Sequence, residues 1–499
     1  MAWLEAIEVD GARGFRVLPP GGGEALREFR VTTPAEVGEA IARARQAQDA
    51  WAATPVRDRV AIVDRAVRLL IERQDALVEV IRGETGRSEV ETVFMAIFAA
   101  CDAMNYYARR AARTLEDRQV SLHLLKIKKA TMVWHPLGVV GVITPWNGPF
   151  QLAMNPTVQA LLAGNCVLLK PSEVTPGIGL LIGEIFRDAG LPPDVLQVLL
   201  GDGETGAALV NGGVDKISFT GSVPTGRKIG EACGRQLIPC TLELGGKDPA
   251  IVCDDADLKR AAGGTVFGGM MNAGQFCAGT ERVYVVESVA EGYLKALVER
   301  VGRLELGRDI GPFIHQGQLA IVKRHVDEAV AAGAKVHIGG EAEGAYFQPT
   351  VLSGVTHDMA VMSEETFGPV LGVMVVRDVD EAVEMANDTV YGLGGTVWSK
   401  DSNRAEAIAR RLKAGSVCVN DSHITYGVLE VPFGGRGDSG VGHVNGADAL
   451  RNWCHAQPII TDRLGLSDEQ HWHPIGEDVL DGVKKAVRAL WGSPIRKLL

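Results

Sequence analysis

Cys277 lies in the segment Asn272-Ala273-Gly274-Gln275-Phe276-Cys277-Ala278-Gly279, and Glu243 lies upstream in Leu242-Glu243-Leu244-Gly245-Gly246-Lys247. A thiol among small residues and a carboxylate at a glycine-flanked strand end are what nucleophilic catalysis through a thioester requires. Cysteine attacks as the thiolate, so it needs a lowered pKa or a nearby base, and the acylated cysteine then needs an activated water for its release. Glu243 suits the second task. The competing reading of Cys277 is a buried, inert cysteine. The glycines on both sides of it, with Asn272 and Gln275 just before, favour a place where backbone approaches a ligand.

The surrounding pattern predicts the elements that hold these groups. Short apolar runs at 139–144, 166–170, 196–200, 216–220 and 240–244 alternate with helical patterns, as in a mostly parallel sheet covered on both faces. A second α/β run begins near Gly245 and holds Cys277, Glu365 and Pro432-Phe433-Gly434-Gly435. Thr33-Pro34-Ala35-Glu36 predicts a capping box opening a helix with Val37, Ile41, Ala44, Ala47 and Trp51 on one face, and more helix follows to about residue 115. Phe219 to Gly226 reads as a strand followed by Gly-Ser-x-x-x-Gly at a helix start, where backbone N–H groups and the helix dipole favour a pyrophosphate. It is not the GxGxxG fingerprint, whose spacing Gly201-Asp202-Gly203-Glu204-Thr205-Gly206 only mimics. Residues 120–128 have strand character. Val479, Leu480, Val483, Val487 and Leu490 fall at helical spacing with Lys484, Lys485 and Arg488 off the stripe, and Trp491-Gly492-Ser493-Pro494 ends that helix. Such a tail packs on its own or a neighbouring subunit, lies on a membrane surface or covers a substrate entrance; the residues leave these open.

With 499 residues and 46% hydrophobic content, the chain has room for two to four domains and large cores. A net charge of −11, without a long basic run, argues against a nucleic-acid surface. Eight cysteines without a CxxC argue against a disulfide framework or a zinc site and fit a reducing, cytoplasmic setting; no metal is expected. Glu5, Glu8 and Asp10 are unlike the basic start of a secretory signal, and no apolar run reaches membrane-spanning length.

Further motifs carry a resemblance. Pro145-Trp146-Asn147-Gly148-Pro149-Phe150, Lys170-Pro171-Ser172-Glu173, the Phe219–Gly226 run, Glu365-Thr366-Phe367-Gly368-Pro369-Val370 and Pro432-Phe433-Gly434-Gly435 resemble the aldehyde dehydrogenase superfamily in order and spacing, to about residue 460. The resemblance implies an α/β fold with two parallel-sheet α/β domains and a small β oligomerisation element. The boundaries expected are 1–118 with 137–244 for NAD binding, 245–445 for catalysis, 119–136 with 446–462 for oligomerisation, as homodimer or homotetramer, and 463–499 for the tail helix. It implies NAD as cofactor, with NADP possible, held by Trp146, Lys170, Ser172, Glu173, Gly221, Ser222, Glu365 and Phe367. Glu173 would take the adenosine-ribose hydroxyls and repel a 2′-phosphate, favouring NAD. In the family mechanism Cys277 attacks the aldehyde, Asn147 and the Cys277 N–H stabilise the oxyanion, and Glu243 activates the hydrolytic water. Relatives that release the acyl group to coenzyme A generally lack this carboxylate.

Three positions depart from the commonest pattern. Gly148 stands where an aromatic usually follows the asparagine, Pro156 replaces a frequent lysine, and Trp453-Cys454-His455 replaces a frequent Tyr-Thr-Glu. The lysine and glutamate serve a proton relay in the family, so that route is in question here; His455 is either a stand-in or structural. Gly148, Phe150 and Phe276, with Trp146, Leu152 and Met154 nearby, suggest an apolar pocket for a bulky or aromatic aldehyde. No arginine lies beside these motifs to grip a carboxylate, but a distant loop supplying one would make the substrate a semialdehyde of the succinic type. A non-catalytic binding protein on the same fold and a thioester or ester hydrolase using the same cysteine are the readings from other classes.

Overall fold

The computed structural model describes residues 4–469, 472–492 and 494. The chain divides into two compact units, one of residues 1–114 and 136–453 and the other of residues 115–135 and 454–499.

The larger unit is α/β and contains two extended sheets. The first runs Gly440–Val441, Cys240–Glu243, Lys216–Thr220, Val139–Ile143, Cys166–Lys170, Leu196–Val198, all parallel except the first strand. Its central strands read Val-Val-Gly-Val-Ile and Cys-Val-Leu-Leu-Lys and are buried throughout, because helices cover both faces. The second sheet runs Lys335–Ile338, Thr350–Ser353, Val370–Val376, Thr280–Val286, Asp248–Val252, Thr396–Trp398, Cys418–Val419, with only its first strand antiparallel. The two-residue side-chain period sends Ile251, Tyr284 and Val286 into one core and Ala250, Val252, Val283 and Val285 into another.

The expected capping box is present. Thr33 and Glu36 cap each other at the start of the helix Pro34–Ala53, whose buried face includes Val37, Ile41, Ala44 and Trp51. A three-stranded antiparallel sheet of Leu4–Val9, Ala12–Val17 and Arg27–Arg30 precedes it, which the sequence pattern did not disclose. A six-residue π-helix, Val93–Phe98, interrupts the helical run before Ala99–Thr114.

In the smaller unit, Arg118–Val120 and Lys128–Pro136 form an antiparallel pair extended by Cys454–Asp462. Residues 121–127, expected within a strand, are instead the connection between the first two strands. Lys128 Nζ pairs with Asp462 and Glu469, each at 2.7 Å. The tail helix is Glu477–Trp491, with Leu480, Val483, Val487 and Trp491 exposed; Ser493, part of its expected end, lies outside the described residues. No helix among the described residues is long and apolar enough to cross a membrane.

Candidate active site

The order of the first sheet reverses at Val139–Ile143, which has Lys216–Thr220 on one side and Cys166–Lys170 on the other. Ligands in open α/β sheets bind beyond the strand carboxyl ends at such a switch point. Those ends carry Pro145-Trp146-Asn147, Gly221-Ser222 and the 170–173 turn. Ser222 is the N-cap of the helix Val223–Gln236, yet its side chain caps no helix N–H and bonds Thr225 Oγ1 instead, at 3.1 Å.

Cys277 reaches the same place from the second sheet, on the loop before Thr280–Val286. Three successive residues of that loop, Asn272, Ala273 and Gly274, have positive φ. A Cβ on Gly274 would fall 2.1 Å from the Gly368 carbonyl oxygen, so only glycine permits this approach. The loop is fixed by side chains. Gln275 Nε2 donates to Asn272 O at 2.8 Å and its Oε1 accepts from Ile314 N at 3.0 Å, while Asn147 Nδ2 donates to Gln275 O at 3.2 Å. Arg87, wholly buried, donates from Nε to Asn272 Oδ1 at 2.6 Å and from Nη2 to the Asn147 carbonyl. Burial lowers the Arg87 pKa to about 10, against the opposing pull of Glu91, so the guanidinium remains charged at neutral pH.

Burial disfavours the charged form of both reactive candidates. Burial raises the Cys277 thiol pKa, and Glu365, Glu243 and Asp248 push it further. Glu243, at the end of Cys240–Glu243, is 5% exposed, and its carboxylate oxygens make no well-formed hydrogen bond among the described residues. Burial lifts its pKa well above the ordinary carboxyl value, with the Val444 backbone opposing. A carboxylate whose pKa burial has raised is a stronger base than an exposed one, and its unpaired oxygens leave it lone pairs to accept a proton.

A cleft of about 160 Å³ brings together Trp146, Asn147, Gly221, Ser222, Cys277, Glu365 and Phe367. Trp146 meets Phe367 edge-on at 5.6 Å and stacks on His315 at 5.6 Å. Phe367 has φ 51°, and a buried carboxylate holds it there: Glu281 accepts from the Thr366 and Phe367 N–H groups, each at 2.8 Å, and pairs with buried Lys247. Glu365 accepts from Gly246 N at 2.9 Å, and burial raises its pKa to about 8. At the neighbouring strand end Lys170 is buried and pairs with Glu173 at 3.3 Å, while Ser172 Oγ accepts from Val174 N at 3.2 Å. An uncapped helix start, an aromatic wall and a carboxylate at the next strand end suit a dinucleotide.

A second cavity, of about 300 Å³, is lined by Gly148, Phe150, Leu152, Phe94, Phe98 and Phe276 among other, mostly apolar, residues. Arg87, Gln151, His423 and Tyr426 also reach its wall.

The sequence model of the aldehyde dehydrogenase family matches residues 7–459. The chain belongs to the aldehyde dehydrogenase family. It is 38% identical over 479 residues, 95% of this chain and 90% of the other, to a 4,4'-diapolycopene aldehyde oxidase of Methylomonas sp. It is 39% identical over 453 residues, 89% and 87% of the two chains, to a "Putative succinate-semialdehyde dehydrogenase [NADP(+)] 2" of Mycobacterium ulcerans. A solved Mycobacterium tuberculosis aldehyde dehydrogenase complexed with NAD+ superposes with a TM-score of 0.86 at 33% identity, covering 91% of this chain and 95% of that one. This NAD(P)-dependent aldehyde dehydrogenase has the family's α/β fold.

Of the residues singled out from the aldehyde dehydrogenase motifs, those in the 145–147, 221–222, 277 and 365–367 segments share one cleft, and Gly148, Phe150 and Phe276 share the apolar cavity. Pro156 lies inside the helix Pro149–Ala163, and His455 is exposed on the strand Cys454–Asp462. Arg87, Glu281, Gln151, Tyr426 and His423 escaped sequence reasoning. Only the Gly-Arg at 86–87, at a left-handed helix end, gave a local signal for any of them.

Proposed function

We propose that this aldehyde dehydrogenase oxidises bulky, apolar or aromatic aldehydes with NAD and releases the free acid. The observation that carries the substrate class is the cavity of about 300 Å³ whose wall is mainly hydrocarbon and which glycine at 148 leaves open. The Cys277 thiol loses its proton to solvent, which is the proton of the net reaction, and the thiolate adds to the aldehyde carbon to give a tetrahedral adduct whose oxyanion is met by the Asn147 amide and the Cys277 N–H. Trp146, Ser222, Glu365 and Phe367 would hold NAD, which when bound would supply the hydride acceptor. Glu243 takes a proton from water, the hydroxide adds to the Cys277 thioester, and the acid leaves as the thiol is restored. Net, aldehyde, water and NAD+ give acid, NADH and a proton.

Glu173 supports NAD over NADP, because its carboxylate would face a 2′-phosphate; replacing it with glutamine should raise kcat/KM for NADP relative to NAD. The nine-residue strand Cys454–Asp462, with Ile459 and Ile460 exposed, supports a homo-oligomer, since an exposed strand edge invites another chain, and eight cysteines without a CxxC support a reducing, cytoplasmic setting. Arg87 on the cavity wall favours a second reading, a semialdehyde substrate gripped by its carboxylate. Its Nε and Nη2 are already engaged with Asn272 and Asn147, which favours the apolar reading. Measuring kcat/KM over aldehydes of graded size, aromaticity and charge tests the proposal. Aromatic and long-chain aldehydes should lead; a preference for succinic semialdehyde would overturn it.

A further inference from the structure

We propose that His423 and Gln151 form a hydrogen-bonding subsite in the apolar cavity that selects aldehydes bearing a hydroxyl group on their apolar body. The inference rests on the cavity's being the aldehyde site.

Both His423 ring nitrogens and Gln151 Oε1 are buried and make no well-formed hydrogen bond among the described residues. Unpaired buried polar atoms are rare in folded proteins, and here they belong to two residues that line one cavity. The histidine is also placed at a conformational cost, with φ 68° in the left-handed region. Its ring packs edge-on against Phe276 at 3.9 Å and 65° and against Phe267 at 6.0 Å and 89°. Burial lowers its pKa to about 4, with the Ala278 backbone opposing, and the imidazole is therefore neutral at physiological pH.

The chemistry of the missing partner follows from the donor and acceptor count. A neutral imidazole offers one N–H and one lone pair, and Gln151 Oε1 offers lone pairs only. A hydroxyl accepts from the imidazole N–H and donates to the amide oxygen. An ether satisfies one of these, and a methyl group satisfies neither, leaving the buried atoms desolvated. Sites built to bond a hydroxyl reject analogues lacking it far more strongly than apolar pockets reject a methyl.

The test compares matched benzaldehydes carrying hydroxyl or methyl at each ring position, using full-length enzyme with NAD. The hydroxyl-to-methyl ratio of kcat/KM should be about tenfold or more at the best position in wild type and fall to about one in His423→Phe and in Gln151→Met. The ratio is internal to each variant, so general damage cancels, and either folded variant suffices. A wild-type ratio at or below one at every position, or ratios unchanged in the variants, would overturn the subsite while leaving the apolar-aldehyde reading intact. Failure to turn over any benzaldehyde would overturn both.

Discussion

Replacing Arg87 with methionine separates the two substrate readings. Arg87 donates to the Asn147 carbonyl and to Asn272 Oδ1, the atoms that tie Asn147, the proposed oxyanion donor, to the Cys277 loop. Bonds from a charged donor contribute about 1.5–3 kcal/mol each, and methionine leaves Asn272 Oδ1 unpaired while Asn272 Nδ2 still reaches Asn147 O at 3.1 Å. With one of the two contacts partly replaced, the net loss is about 2–3 kcal/mol. If that loss falls on transition-state geometry, kcat/KM drops roughly 30- to 150-fold for every aldehyde, with a lowered Tm and little change in NAD affinity. The assay is NADH formation with benzaldehyde, a long-chain aldehyde and succinic semialdehyde, alongside thermal melting. A loss concentrated on succinic semialdehyde would show that Arg87 grips a substrate carboxylate, and would refute the reasoning. No loss at all would show that Arg87 does not hold Asn147.

Gly148→Phe should lower kcat/KM for bulky aldehydes about tenfold to a hundredfold more than for acetaldehyde, because a Cβ there already lies 3.0 Å from Leu152 Cδ1 and the ring must enter the cavity. Equal losses across the panel, or none, would withdraw the bulky-substrate reading. Alkylation of Cys277 by iodoacetamide in cofactor-free protein, followed by peptide mass spectrometry, should accelerate steadily from pH 7 to about 9, by at most about tenfold per pH unit and without a plateau, because burial holds the thiol protonated and Glu365, with a pKa of about 8, gains charge against the thiolate over this range. A plateau below about pH 8 would contradict that electrostatic picture.

The sheets and the family were legible because parallel strands buried on both faces read as short apolar runs, and because the motifs sit at strand ends and tight turns that demand particular residues. Gly274 and Phe367 belong to such turns. What escaped notice depends on distant pairing. Arg87 meets Asn272 across 185 residues of chain, and Glu281 meets Phe367 across 86, so neither partner has a local pattern. His423 follows a short strand in a polar loop, and only packing against Phe276 distinguishes it from a surface histidine. The N-terminal sheet was hidden because Leu4–Val9 mixes charged and apolar residues and finds its partners only in three dimensions.

The division of labour between Cys277 and Glu243 is tested most directly by Glu243→Gln. Hydride transfer precedes the hydrolysis that needs the base, so rapid mixing with NAD and benzaldehyde should give a burst of NADH near one equivalent per active site and then a stall. Intact-mass measurement at the stall should find the acyl group on Cys277, and Cys277→Ala should give neither burst nor adduct. Steady turnover of Glu243→Gln near the wild-type rate, with no acyl adduct, would contradict the account.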